Sequence, residues 1–259
     1  CFTGKRGPGV LPGKRKGMIK GIIAPHAGYS FSGPCAAWSY KALGESEMPD
    51  LYIILGPNHH SSASGISVES MELPFGTLRA DQPFARELEK KGTLKVDEEI
   101  HKAEHSVEVQ LPFIQFVDEK QIEKIKVLQI LVGQDLDLAK AALDIKETMM
   151  DFGKKVVFIA SSDFTHYGPN YHYMPFIEDV QKNIYEMDRQ AIEFILNGDE
   201  AGFLKFVEEK EMTVCGFLPI ALLLKVLRHP KATLDAYYTS GDVAENYRNS
   251  VSYASIVFR

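Results

Sequence analysis

The stretch Leu51-Tyr52-Ile53-Ile54-Leu55-Gly56-Pro57-Asn58-His59-His60 decides the fold. Five apolar residues run without a polar break and stop at Gly-Pro. A short apolar run closed by turn residues is the pattern of a strand covered on both faces, and therefore of a parallel sheet with helices on either side. Runs 19–24, 125–132 and 155–160 read the same way. Between them, longer periodic segments predict helices over 34–43, 82–91, 136–151, 175–196, 200–209 and 217–227. Ser32 ahead of Pro34 supplies a start signal for the first of these. Segments 234–239 and 251–258 read as late strands whose place in the sheet the sequence does not fix. The expectation is an α/β fold with a mostly parallel central sheet flanked by helices.

The length of 259 residues suits one large domain, expected over 18–259. Residues 1–17 carry Gly4, Gly7, Pro8, Gly9, Pro12, Gly13 and Gly17, too many breakers for a regular element, and are expected as an extended arm. The basic triplet Lys14-Arg15-Lys16 within it reads as solvated. A formal net charge of -6 argues against nucleic acid, whose binding is driven by phosphate neutralisation. The apolar run 217–224 is too short to span a bilayer, and no charged-then-apolar leader opens the chain. Three scattered cysteines (Cys1, Cys35, Cys215), none in a CxxC pair, fit neither a disulfide framework nor a zinc knuckle. A reduced, cytoplasmic setting is expected. Dinucleotide, P-loop and GxSxG signatures are absent.

The residues just past the strand ends carry the chemistry. The first strand runs into Pro25-His26-Ala27-Gly28-Tyr29, the second into His59-His60, and the fourth into Ser161-Ser162-Asp163-Phe164-Thr165-His166. Ligands of open α/β sheets bind outside the carboxyl ends of the strands, so His26, His59, Asp163 and His166 are expected at one edge. His59 and His60 point oppositely in extended chain, and residue chemistry alone does not choose between them. Pro219 places a helix start near 216–218, which puts Cys215 at a helix N-terminus, where the dipole favours the thiolate. The alternative for Cys215 is a small buried hydrophobe beside a tight turn. In Glu104-His105-Ser106-Val107-Glu108, helical spacing would put His105 and Glu108 on one face, His105 lining the site and Glu108 orienting a ligand; a solvated capping segment is the other reading. His101, His172 and His229 read as surface residues.

With these residues in hand, Pro25-His26-Ala27-Gly28-Tyr29, Gly56-Pro57-Asn58-His59-His60, His105-Ser106-Val107-Glu108, Ser161-Ser162-Asp163-Phe164-Thr165-His166, Thr213-Val214-Cys215-Gly216 and Ser250-Val251-Ser252-Tyr253-Ala254 resemble the Memo family. The motifs occur in family order from residue 18 onward. The family usually carries a longer N-terminal segment with a Gly-Ser-Trp-Tyr-like motif, which implies that this part is missing or divergent here. Its eukaryotic member mediates receptor-driven cell motility. Prokaryotic members are often encoded beside AMMECR-type and radical-SAM proteins, which the resemblance implies as partners.

The Memo family is similar in fold to class III extradiol dioxygenases. The resemblance implies that His26, His59 and Cys215 hold one iron or copper ion, with zinc behind these and an empty site as the remaining case. Asp163 and His166 would stand beside it, His166 as acid–base oriented by Asp163. Such a set is the two-histidine, one-carboxylate triad with thiolate in place of carboxylate, a softer site than an oxygen-ligated iron centre. Two rival functions stand beside this redox or oxygenase reading. One is a non-enzymatic peptide-binding module with a vestigial pocket lined by Tyr29 and Tyr167. The other is Cys215 as a covalent nucleophile paired with His166. The substrate, small molecule or peptide, is not named by the sequence.

Overall fold

A computed structural model describes residues 1–228 and 231–259. In chain order the elements are β1 (Gly21–Ala24), α1 (Gly33–Gly44), β2 (Leu51–Pro57), β3 (Gly65–Ser67), β4 (Met71–Leu73), β5 (Gly76–Ala80), α2 (Gln82–Lys91), α3 (Leu111–Val117) and β6 (Lys126–Val132). Next come α4 (Leu138–Phe152), β7 (Val156–Ser161), β8 (His166–Tyr167), α5 (Val180–Leu196), α6 (Glu200–Glu209), α7 (Phe217–Leu227), β9 (Ala232–Thr239), α8 (Ser240–Ala244) and β10 (Ser250–Phe258).

The main sheet order is β4-β5-β6-β2-β7-β1-β10-β8. Its central run β5-β6-β2-β7-β1 is parallel throughout. The late strands join outside β1: β10 pairs antiparallel with β1, and β9 with β10. The expected mostly parallel sheet is therefore its heart, with antiparallel strands at both margins. Alternation along the strands feeds two cores. Leu51, Ile53 and Leu55 join the core under α2, α4, α5, α6 and α7, while Tyr52 and Ile54 join the core under α1 and α3. Asp81 and Asp137 start α2 and α4 by accepting first-turn amides that have no acceptor within the helix.

Several expectations need correction. The helix predicted from 175 begins at Val180. Strands β3, β4, β5 and β8 were not expected; each is short, and the 65–80 excursion is too polar and broken by Pro74 and Gly76 to show a strand period. Lys14 and Lys16 are exposed as expected, but Arg15 is half-buried and paired. Its guanidinium pairs with the buried carboxylate of Asp118 and donates to the Ser46 carbonyl at 2.8 Å, and Tyr52 donates to the other Asp118 oxygen at 2.7 Å. Phe2 is buried, stacked on Phe116 with centroids 4.9 Å apart. Residues 1–17 thus carry no helix or strand but lie strapped to the α1–α3 face. His172 is exposed as expected, His101 is half-buried against the Gly65 carbonyl, and His229 lies outside the described residues. No helix among the described residues is long and apolar enough to cross a membrane.

Candidate metal centre

Three neighbouring strands, in the order β2-β7-β1, end at the site. Pro25-His26 leaves β1, Asn58-His59 leaves β2, and Ser162-Asp163 leaves β7. Cys215 arrives on the segment before α7, whose N-cap is Gly216. A Cβ on Gly216 would lie 2.4 Å from the Ser162 Cβ and 2.5 Å from the Ser161 carbonyl oxygen. Glycine here lets the start of α7 press onto the end of β7, which is what carries the sulfur to the strand ends. Gly56 works likewise: a Cβ there would meet Ser106 Oγ and Val107 Cγ1 at 2.6 Å, so its absence admits the 104–107 segment.

One donor atom each from His26, His59 and Cys215 lies within 4.8 Å of the other two. His26 Nε2 and Cys215 Sγ are 3.2 Å apart. Two ligands on one tetrahedral ion, with metal–nitrogen and metal–sulfur bonds of about 2.1 and 2.3 Å, stand about 3.6 Å apart. The pair is already near that spacing. His59, Glu104 and His105 form a second such group, and Asp163, His166 and Cys215 a third.

The rings are held by their other nitrogens. Ser161 donates its single hydroxyl hydrogen to the Ser106 carbonyl at 2.6 Å, so it can only accept from His26 Nδ1 at 2.9 Å and from Gln110 Nε2 at 2.8 Å. Gln110 is fixed in turn, donating to the Pro25 carbonyl and accepting from Tyr40. His26 therefore carries its proton on Nδ1 and turns the Nε2 lone pair toward the sulfur. His59 Nδ1 donates to Glu104 Oε1 at 2.9 Å. The Ser106 amide donates to the same oxygen, and the His59 amide to Oε2. His166 Nδ1 donates to the carbonyls of Phe164 and Thr213, both at 2.9 Å. All three rings so present Nε2, the arrangement in which a second partner fixes a metal-binding tautomer.

Geometry settles what residue chemistry left open. His60 turns away, its Nε2 on the Ala103 carbonyl at 2.9 Å, and His59 faces the cluster. The carboxylate that orients a ring is Glu104, which is buried, whereas Glu108 is exposed. Spacing misled there because 104–107 is not helical; helical backbone begins only with the 3₁₀ turn Glu108–Gln110, which leads into α3. His105 does join the cluster, stacked on His59 at 5.1 Å and edge-on to His26 at 5.6 Å. Asp163 does not orient His166; its Oδ1 accepts the amides of His26 and Ala27 and so ties the β1 and β7 ends together. Tyr29 is exposed and donates to the Val109 carbonyl, and Tyr167 is buried against Phe176, away from any pocket with Tyr29. Tyr171, edge-on to His166 at 5.1 Å, was not foreseen; no sequence period marks the turn that carries it.

Burial holds both Cys215 and His26 in their neutral forms. Burial pushes the Cys215 thiol well above its ordinary value, and the Asp163 carboxylate adds to this against hydrogen bonds from Asp163, Ser162 and Gly216. The dipole expectation of a thiolate is thus outweighed. Burial lowers His26 to about 4, opposed by Asp163 and helped by His59, His105 and His166. Burial works to raise Glu104, but hydrogen bonds from His59 and Ser106 prevail and hold it well below the usual carboxylate range. A neutral Cys215–His26 pair is unlike the thiolate–imidazolium pair of a cysteine nucleophile.

The depressed His26 value ties stability to pH. Unfolded chain takes up this proton below about 6.5, whereas folded His26 resists until about 4. Stability carried by neutral His26 is therefore full above pH 6.5 and falls as pH drops toward 4, by about 3 kcal/mol for this shift. Urea unfolding of chelator-treated protein at pH 7 and pH 4.5 should show about 2 kcal/mol of that loss, reduced in His26→Asn. An identical pH slope in the variant would sink the assignment.

Fold and cluster together define an α/β protein whose convergent His, Cys and Glu side chains could hold a metal ion. The chain belongs to the Memo family: residues 2–257 match the family described as Memo-like protein. It is 39% identical to a MEMO1 family protein of Methanopyrus kandleri over 100% of this chain and 90% of that one. It is 40% identical to a MEMO1 family protein of Thermococcus kodakarensis over 92% of this chain and 86% of that one. Among solved structures it is similar in fold to an uncharacterized protein of Escherichia coli K12, with a TM-score of 0.57 at 13% identity, covering 93% of this chain and all of the other. The family match begins at residue 2, so the N-terminal strap lies within it.

Proposed function

We propose that this protein binds one iron or copper ion through His26 Nε2, His59 Nε2 and Cys215 Sγ and uses it in redox or oxygenase-type chemistry on a small molecule. The observation that carries the reading is the 3.2 Å approach of Nε2 to Sγ, with the His59 donor within 4.8 Å and each ring's Nδ1 already committed. A set of two imidazoles and one sulfur is soft and by donor chemistry suits copper(I) and zinc more than an oxygen-ligated iron site would; iron stands beside copper here on the family resemblance. When bound, such an ion supplies one-electron chemistry and positions open to a ligand. The chain's own residues do the rest. Glu104 and Ser161 hold the rings, and His166, its Nδ1 proton shared between two carbonyls, offers Nε2 to take up or return a proton beside the ion.

Metal content of protein purified without added metal tests the reading. Wild type should carry close to one equivalent of iron or copper and His59→Ala almost none; equal content in the two defeats it. Glu104→Gln should weaken binding about ten- to a hundredfold in a chelator competition, because the amide holds the His59 ring less firmly than the carboxylate. Unchanged affinity would remove Glu104 from the site.

A further inference from the structure

A cleft of about 320 Å³ opens beside the donor cluster, with His59 and Cys215 on one side. It lies outside the carboxyl ends of β2 and β6, where open α/β sheets take ligands, and its volume sits at the small end of ligand pockets. Half-buried Phe217 and Leu218, with buried Val132 and Pro57, form an apolar wall; Gln134 and Ser62 stand among the polar lining. No Lys, Arg, Asp or Glu is among the residues that line it, and its titratable groups are His59, His60 and Cys215. Three helices are capped by an aspartate side chain, whereas α7, like α1, α3 and α5, has no side-chain cap, and Phe217 and Leu218 are its first residues. First-turn positions usually given to polar or acidic residues are thus spent on a hydrophobic surface over the cleft.

We propose that this cleft is the substrate site and that it takes a small uncharged molecule with an aromatic or similarly flat apolar body and a neutral hydrogen-bonding group. This deepens the metal-site reading and rests on it for what happens to the molecule, but not for whether the cleft is filled. The apolar body would lie on Phe217 and Leu218, and the neutral group would meet the Gln134 amide and Ser62 hydroxyl. With the ion removed by a chelator, a charged group would meet no side chain of opposite charge on the cleft wall, so charged and neutral molecules are compared in chelator-treated protein.

Benzamide, benzoate and benzylammonium share a ring and differ in charge, so they serve as probes. Binding to the full chain is followed by methyl chemical shifts of Leu218 and Val132, with metal content measured on the same samples before chelation. Benzamide is expected to shift both methyls and to bind at least about fivefold more tightly than either charged analogue. Phe217→Ala should weaken benzamide about tenfold, by loss of buried apolar area. Charged analogues that bind as well as benzamide overturn the proposal. So do benzamide shifts confined to the separate aromatic groove around Phe113 and Phe116. Protein that holds metal but gives no benzamide shifts defeats the cleft alone, whereas shifts at Leu218 and Val132 in protein that takes up no metal defeat only the metal reading.

Discussion

Replacing Cys215 by serine is expected to lower copper(I) affinity by at least about a hundredfold, because the softest donor of the set is exchanged for a hydroxyl that stays protonated at neutral pH. The fold should survive the change. Cys215 is partly buried and receives the Asp163 amide at 3.2 Å, a bond that a serine oxygen can accept. Metal binding must also release the thiol proton that burial and Asp163 hold in place. Wild-type affinity should therefore rise with pH and uptake should liberate about one proton per ion, while the serine variant should show neither. A chelator competition at two pH values, with circular dichroism as the fold control, reads out both. Serine protein of normal fold and wild-type affinity would show that the sulfur is not a ligand.

Gly216→Ala should cost more stability than any change at the ligands. Its Cβ would sit 2.4 Å from the Ser162 Cβ and 2.5 Å from the Ser161 carbonyl oxygen, and neither atom belongs to the free end of a flexible side chain. Overpacking of this kind costs about 2 to 3 kcal/mol, which for a chain of this size lowers Tm by about 5 to 10 °C. Relief would push α7 away from β7 and take Cys215 with it, so metal affinity should fall in the same variant. Calorimetry and metal titration check the pair of effects; a Tm within a degree of wild type would mean that the helix start yields freely.

How far the sequence could be read depends on the range of the forces involved. Strands 51–55 and 155–160 and the helices at 82–91, 200–209 and 217–227 were legible because their apolar periods are local. The convergence of His26, His59 and Asp163 was legible because each stands two residues past the end of a strand, while His166 follows on the same segment as Asp163 and opens β8. Glu104 was not, although its segment was in view: its role depends on Gly56 admitting 104–107 against the end of β2. The choice of His59 over His60 needed the same contact. Arg15 was misread because its partner, Asp118, lies 103 positions along the chain, and no local pattern announces such a pairing. The β3–β5 excursion is short and polar and took its pairing from β6.

The locked rings bear on how an ion comes and goes. Each Nδ1 is spent on a serine, a carboxylate or a pair of carbonyls, so no imidazole has to swing into place on arrival. Loading should be quick and nearly shape-neutral, with empty and filled forms superimposable. Little ordering entropy remains to be lost when the ion arrives, so it falls on folding instead, when Ser161, Gln110 and Glu104 are first brought together.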